Sequence, residues 1–236
     1  MRNLLFFLII FFTINTAFSQ QVNHIDALGQ KQGLWKKNHD NGKLRYEGNF
    51  KDNIAIGTFR YYYDTGKLST VAEYSEKGKR MNTTIYHENG KMKAKGTYMN
   101  EQKDGEWKYF NEEEQLLSEE FYKSGQKTGV WKNYYADGKP SNETVYVNNI
   151  KHGPYKEYFQ NGRIKWEGIY VNGELDGVVK YFNSEGKLSI VGIYQKGLRH
   201  GNWKFYNAKG EVERTEEFIK GHSKEGRKDM EKVKNE

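Results

Sequence analysis

Short runs of aromatic and β-branched residues alternate with polar turn residues along the chain, and the alternation is periodic. Within residues 153–176, a run over Tyr155–Phe159 precedes Asn161-Gly162, and a second over Ile164–Val171 precedes Asn172-Gly173. No segment shows a helical 3.6-residue period with caps. Asn-Gly between such runs is a strong hairpin signal, because both central residues of a type I′ turn need positive φ. Asn41-Gly42, Asn89-Gly90 and Asp137-Gly138 repeat that chemistry. The pattern predicts two strands and two turns per unit. Pro154 is expected at the start of a strand and Pro140 just after a turn, where neither removes a central ladder bond.

The unit repeats every 24 residues. Gly recurs at 33, 57, 105, 129, 153, 177 and 201, with Met81 in the one empty slot. A second register holds Gly42, Gly66, Gly90, Gly138, Gly162, Gly186 and Gly210, with Glu114 the exception. A third is wholly aromatic, from Phe50, Tyr74 and Tyr98 through to Tyr194 and Phe218. Eight units therefore run from 33 to 224 without insertion or deletion. The expected fold is all-β, an elongated antiparallel β-hairpin meander of about sixteen strands, stabilised between neighbours by aromatic cross-strand pairs. Small residues in the second strand (Gly48, Ala72, Gly96, Gly168, Gly192) are expected to leave room for neighbouring rings.

The ends read differently. Residues 1–19 carry Arg2, the apolar run Leu4–Phe12 and small residues Ala17 and Ser19, the pattern of a cleaved secretory signal. The run is short for a membrane span. Localisation is therefore expected to be exported: periplasmic, envelope-associated or secreted. Residues 20–32 form a lead-in without aromatic residues, and 225–236 a charged tail that reads as disordered. Cysteine is absent, which removes disulfides, Cys-ligated metals and thiol chemistry. The mean hydropathy of −0.99 argues against a polytopic membrane protein.

Tyr46-Glu47-Gly48-Asn49-Phe50 and Trp166-Glu167-Gly168-Ile169-Tyr170 resemble the opening of MORN repeats, and the Gly-x-Trp-Lys-x-Tyr and Asn-Gly-Lys-Leu stretches resemble the bacterial 24-residue MORN variant. The resemblance covers 33–224. It implies a binding or scaffolding module. For some relatives it implies phospholipid binding, and for the bacterial variant an antitoxin-like, toxin-neutralising role.

Candidate chemistry is sparse. The six His residues form no close ligand set; His152 and His200 share a register but lie two units apart, about 19 Å across four strands, too far for one metal ion. No nucleophile elbow, P-loop or dinucleotide fingerprint occurs. The reading is non-enzymatic, with no cofactor and no metal. The net charge is +7. Lysines repeat after the first strand aromatic (Lys108, Lys132, Lys156, Lys180, Lys204, with Lys36 and Arg60 before them) and after the turn Gly (Lys43, Lys67, Lys91, Lys139, Arg163, Lys187). Such stripes make either a rail for an anionic lipid or glycan, or an ordinary solvated face. Nucleic acid is not favoured, since export makes contact with it unlikely and the aromatics are needed for packing. The two irregular units supply a candidate docking patch: Met81, Thr83 and Thr84, and Glu112, Glu113 and Glu114. Repeat drift explains the irregularity equally well. Asn82 and Asn142 begin N-x-T sequons. The expected role is binding a protein partner along the sheet, with an anionic envelope component as the alternative.

Overall fold

A computed structural model describes residues 21–224. The expected signal segment and the charged tail lie outside the described residues. Within them, each strand pairs antiparallel with the next in sequence, from Lys31–Asn38 to Val212–Ile219. The sheet has 19 strands. Sixteen were expected. The extra ones are two-residue edge pieces at His24–Ile25 and His222–Ser223, and one long strand divided at Asp176 into Glu174–Leu175 and Gly177–Phe182.

The two turns of a unit differ. Between paired Lys51 and Ile54, Asp52 (φ 53°) and Asn53 (φ 65°) are both left-handed, a two-residue type I′ connection. Asn172-Gly173 has the same form. Asn41-Gly42, Asn89-Gly90, Asp137-Gly138 and Asn161-Gly162 do not: only the Gly has positive φ. Gly42 N–H donates to His39 O (2.9 Å) and His39 N–H to Lys43 O (2.8 Å), a three-residue loop closed by a glycine bulge. The Asn side chain causes this, because its Oδ1 accepts from the Lys43 N–H two residues on (3.1 Å) and holds a right-handed turn.

The first Gly register marks a bulge inside the long strand. Asn49 pairs with Ile56 and Glu47 with Arg60, so Gly57, Thr58 and Phe59 all face Gly48. Gly57 sits at φ 64°. The extra residues bend the strand and press the Phe59 ring onto the backbone of Gly48, where any Cβ would overlap it. Trp107 lies on Gly96 and Trp203 on Gly192 in the same way, and Val179 on Gly168. The small-residue column is thus the floor of the core. Phe59, Trp107, Val179 and Trp203 are almost fully buried, and the rings meet edge-on across strands, as in Phe50–Phe59 (5.2 Å) and Phe59–Tyr74 (5.0 Å). Pro154 lies mid-strand, at a bulge where the ladder is already broken, rather than at the strand start.

The third unit lacks the bulge inside its long strand. Its register runs unshifted from Thr70↔Ile85 to Ser75↔Arg80, and the two residues used elsewhere in the bulge lengthen the turn to Glu76-Lys77-Gly78-Lys79. Thr83 takes the place of the ring, and its buried Oγ1 has no hydrogen-bond partner. Replacing that hydroxyl by a methyl removes an unsatisfied group at constant shape. Thr83→Val is expected to stabilise by about 1 kcal/mol, whereas Gly96→Ala is expected to cost about 1–3 kcal/mol, both read from urea midpoints.

Candidate binding face

Because strand residues alternate sides, the bulged sheet has one aromatic face and one charged face. Cations roof the aromatic face. Lys31 lies over Trp35 and Phe50 (4.8 and 4.9 Å), Lys127 over Trp131 (4.3 Å), Lys151 over Tyr170 (4.9 Å) and Arg199 over Trp203 (4.4 Å). Lys103 covers Trp107 (4.7 Å), and burial lowers its ammonium pKa. The expected stripes omitted this column. Its signal is the same 24-residue spacing, interrupted by Ala55 and Leu175. Burial also raises the phenol pKa values of Tyr109 and Tyr155 to about 12.

The opposite face carries the lysines singled out in the sequence, but not as a row of one sign. Register places Lys108, Glu119, Lys132, Glu143, Lys156, Glu167 and Lys180 side by side on successive strands. Lys108 binds Glu119 (2.7 Å), Lys180 lies 3.6 Å from Glu167, and Lys132 lies 4.0 Å from Glu143. Hydrogen bonds from Lys108 and then Tyr134 hold the Glu119 carboxyl below its ordinary pKa. Lys204, at the far end, stands between Val191 and Thr215 instead. The second lysine column works at the hairpin tips. Lys43 donates to Thr65 O (3.1 Å), Lys139 to Gln160 O (3.1 Å) and Arg163 to Ser184 O (3.3 Å), each lacing one turn to the turn of the next unit.

Of the candidate docking patch only Thr83 and Thr84 come together, at one depression. Thr84 follows Val71 in the charged row, and these two short side chains leave an open depression of about 330 Å³ bordered by Glu73, Asn82, Lys95 and Glu106. Met81 pairs with Tyr74 and Tyr98 on the aromatic face, and Thr83 sits beneath it between Ala72 and Gly96. Glu112, Glu113 and Glu114 form a hairpin tip, where Glu114 adopts the glycine conformation (φ 65°). None of these three carboxylates lines the depression.

A second feature was not anticipated. Beside the charged row runs an apolar strip, Phe121, Val130, Val145, Pro154, Ile169 and Val178, continued by Ile193. Ile169 is 47% exposed and Val178 50%. Apart from Leu34, the equivalent positions in the first half are polar: Asn49, Glu73 and Thr97 in one column, Thr58, Asn82 and Glu106 in the other. Monomeric proteins rarely leave such a contiguous apolar surface bare.

Among the described residues no group of three or more His, Asp or Glu is placed to hold a metal ion. His39 and His87 instead contact the carbonyls of Tyr62 (2.9 Å) and Phe110 (3.0 Å) in the following unit.

The sequence profile of the MORN repeat variant family matches residues 31–52, 56–79, 81–100, 103–124, 127–148 and 151–172. The chain belongs to the MORN repeat variant family. Its two-strand MORN unit continues beyond the matched segments through Leu198–Tyr206 and Val212–Ile219. No curated protein matches the chain. Solved structures share a limited likeness with it, two TarM structures among them. The crystal structure of TarM is 18% identical with a TM-score of 0.30, over 40% of this chain and 19% of that one. A mutant TarM from S. aureus, in complex with Fondaparinux, alpha-GlcNAc-glycerol and UDP, is 17% identical with a TM-score of 0.31, over 41% and 19%. The chain thus spans about a fifth of the length of either TarM structure.

Two pH responses follow from the MORN sheet. Glu119 has a folded pKa below its ordinary 4.5, so its stabilisation is present above that value and lost as pH falls through the folded one. Acid unfolding of Glu119→Gln should be flatter below about pH 5 than that of the parent. The buried phenols act oppositely. They ionise first in the unfolded chain, so stability should fall as pH rises above about 10, with phenolate absorbance appearing on unfolding.

Proposed function

We propose that this chain is an exported, non-catalytic MORN repeat module that binds another protein along the charged face of its sheet. The observation that carries the reading is the apolar strip from Phe121 to Ile193, lying against a row of fixed charges. An apolar centre with a polar margin is the composition of a protein interface. The lysine row supports a polyanion less well, because Glu119, Glu143 and Glu167 supply counter-charges at the next strand. Toxin neutralisation, the role implied for bacterial relatives, is one special case of protein binding. Export rests on residues 1–19.

Immobilised protein spanning residues 20–236 is expected to retain a protein from envelope extract through a high-salt wash. Ile169→Lys should weaken retention at least tenfold, and the triple change Lys132→Glu, Lys156→Glu, Lys180→Glu should weaken it less. Retention only of anionic vesicles, lost in high salt and in the triple variant, would replace this reading with the envelope-component alternative.

A further inference from the structure

We infer that the partner of the apolar strip is a single amphipathic α-helix of another protein, an inference that rests on the charged face being a protein-binding face. The first argument is one of shape. The strip from Phe121 to Ile193 takes one residue from each successive strand, from Leu116–Lys123 to Leu188–Gln195, with the strand divided at Asp176 counted once. At about 4.8 Å per strand it is about 29 Å long. It ends at polar neighbours, for Phe121 pairs with Glu106 on one side and Ile193 with His200 on the other. It is also narrow. Exposed Val147, Ile150 and Val171 widen its middle toward the hairpin tips, whereas the charged row borders its other side two residues further along each strand. At 1.5 Å per residue, one helix of about 20 residues covers that length.

The second argument is one of spacing. From Lys108 to Lys180 the row alternates in sign, one residue per strand, so each sign recurs about every 9.6 Å. Residues i, i+4, i+7 and i+11 of a helix form one stripe along its flank. If they alternate in charge, each sign recurs every seven residues, about 10.5 Å. The two rows then part by only about 3 Å over their whole length, which long charged side chains span. An extended segment laid along the strip does not keep step. Its same-face side chains stand about 6.8 Å apart, so each sign recurs about every 14 Å and falls nearly half a period out after one repeat. A second sheet matches the strand spacing but is flat. Packed about 10 Å away, it would cover the charged row together with the strip and take those charges out of water. A helix is round. Seated on the strip, it leaves the row at its margin, where Lys108–Glu119 and Lys180–Glu167 stay hydrated and face its flank. The strip supplies the affinity. The row sets the register, because a slip of one helical turn brings like charges together.

The test is titration of the chain spanning 20–236 with two synthetic peptides of about 22 residues that share one Leu-rich helical face and one composition. The first carries Lys and Glu in alternation along one flank. The second has its flank lysines gathered at one end and its glutamates at the other. Fluorescence anisotropy reads binding, and difference circular dichroism reads the helix that the peptide gains. The alternating peptide should bind as a helix, at least tenfold more tightly than the second at low salt, and high salt should abolish that preference while leaving the binding. Ile169→Lys, its fold confirmed by circular dichroism, should weaken both peptides at least tenfold. The triple change Lys132→Glu, Lys156→Glu, Lys180→Glu should remove the preference and leave the binding. Binding without a gain of helix, binding indifferent to Ile169→Lys, no preference between the peptides, or no binding of either overturns the inference. If neither peptide binds while salt-resistant capture of an envelope protein is still lost in Ile169→Lys, the protein-binding face stands and only the helical partner is refuted. If nothing is captured either, both readings fall.

Discussion

The contact between a ring and a backbone that has no side chain governs this molecule. A bulge at a left-handed glycine sets three residues against one, and the third, an aromatic in most units, comes down on Gly48, Gly96 or Gly192. A single-layer sheet has no second layer to bury its apolar face. Bending each long strand over the preceding short one makes the sheet its own cover, with Lys or Arg lying on the outer ring faces. The third unit shows the dependence from the other side. Where the bulge glycine becomes Met81, the bulge vanishes, the ring becomes Thr83, and a hydroxyl is left buried without a partner.

Much of this was legible in the residues because it is written in columns of fixed spacing. The 24-residue period, the hairpins and the small-residue floor each occupy one register and can be read without knowing which strand pairs with which. The Asn-Gly turns were read too simply. Four sites share the Asn-Gly dipeptide, but Asn172-Gly173 is a type I′ connection and the other three, like Asp137-Gly138, are three-residue loops. The difference lies in where the dipeptide falls relative to the last paired residue, which local sequence does not specify.

The charged face depends on relations between columns. Glu47 lies 11 residues after Lys36 and 13 before Arg60, yet both are its direct neighbours. Only pairing register reveals that lysines which look like a rail in the sequence alternate with carboxylates in space. The apolar strip is hidden for the same reason, since Phe121 and Ile169 belong to one column and Val130 and Val178 to another. Pairing also separates what sequence proximity had joined: Thr84 opens a depression in the sheet, whereas Glu112–Glu114 cap a hairpin tip that takes no part in it.

The third unit loses its bulge and lengthens its turn by two residues, so the count of 24 survives a change of shape. That count is fixed by the lacing of turns to turns, for a unit one residue longer would carry every later side chain to the wrong face. Slack can be moved within a unit but neither added nor removed. Such an array can diverge freely by substitution, yet its length can change only in whole units, and each unit gained or lost advances the sheet by two strands and leaves the faces of all the others as they were.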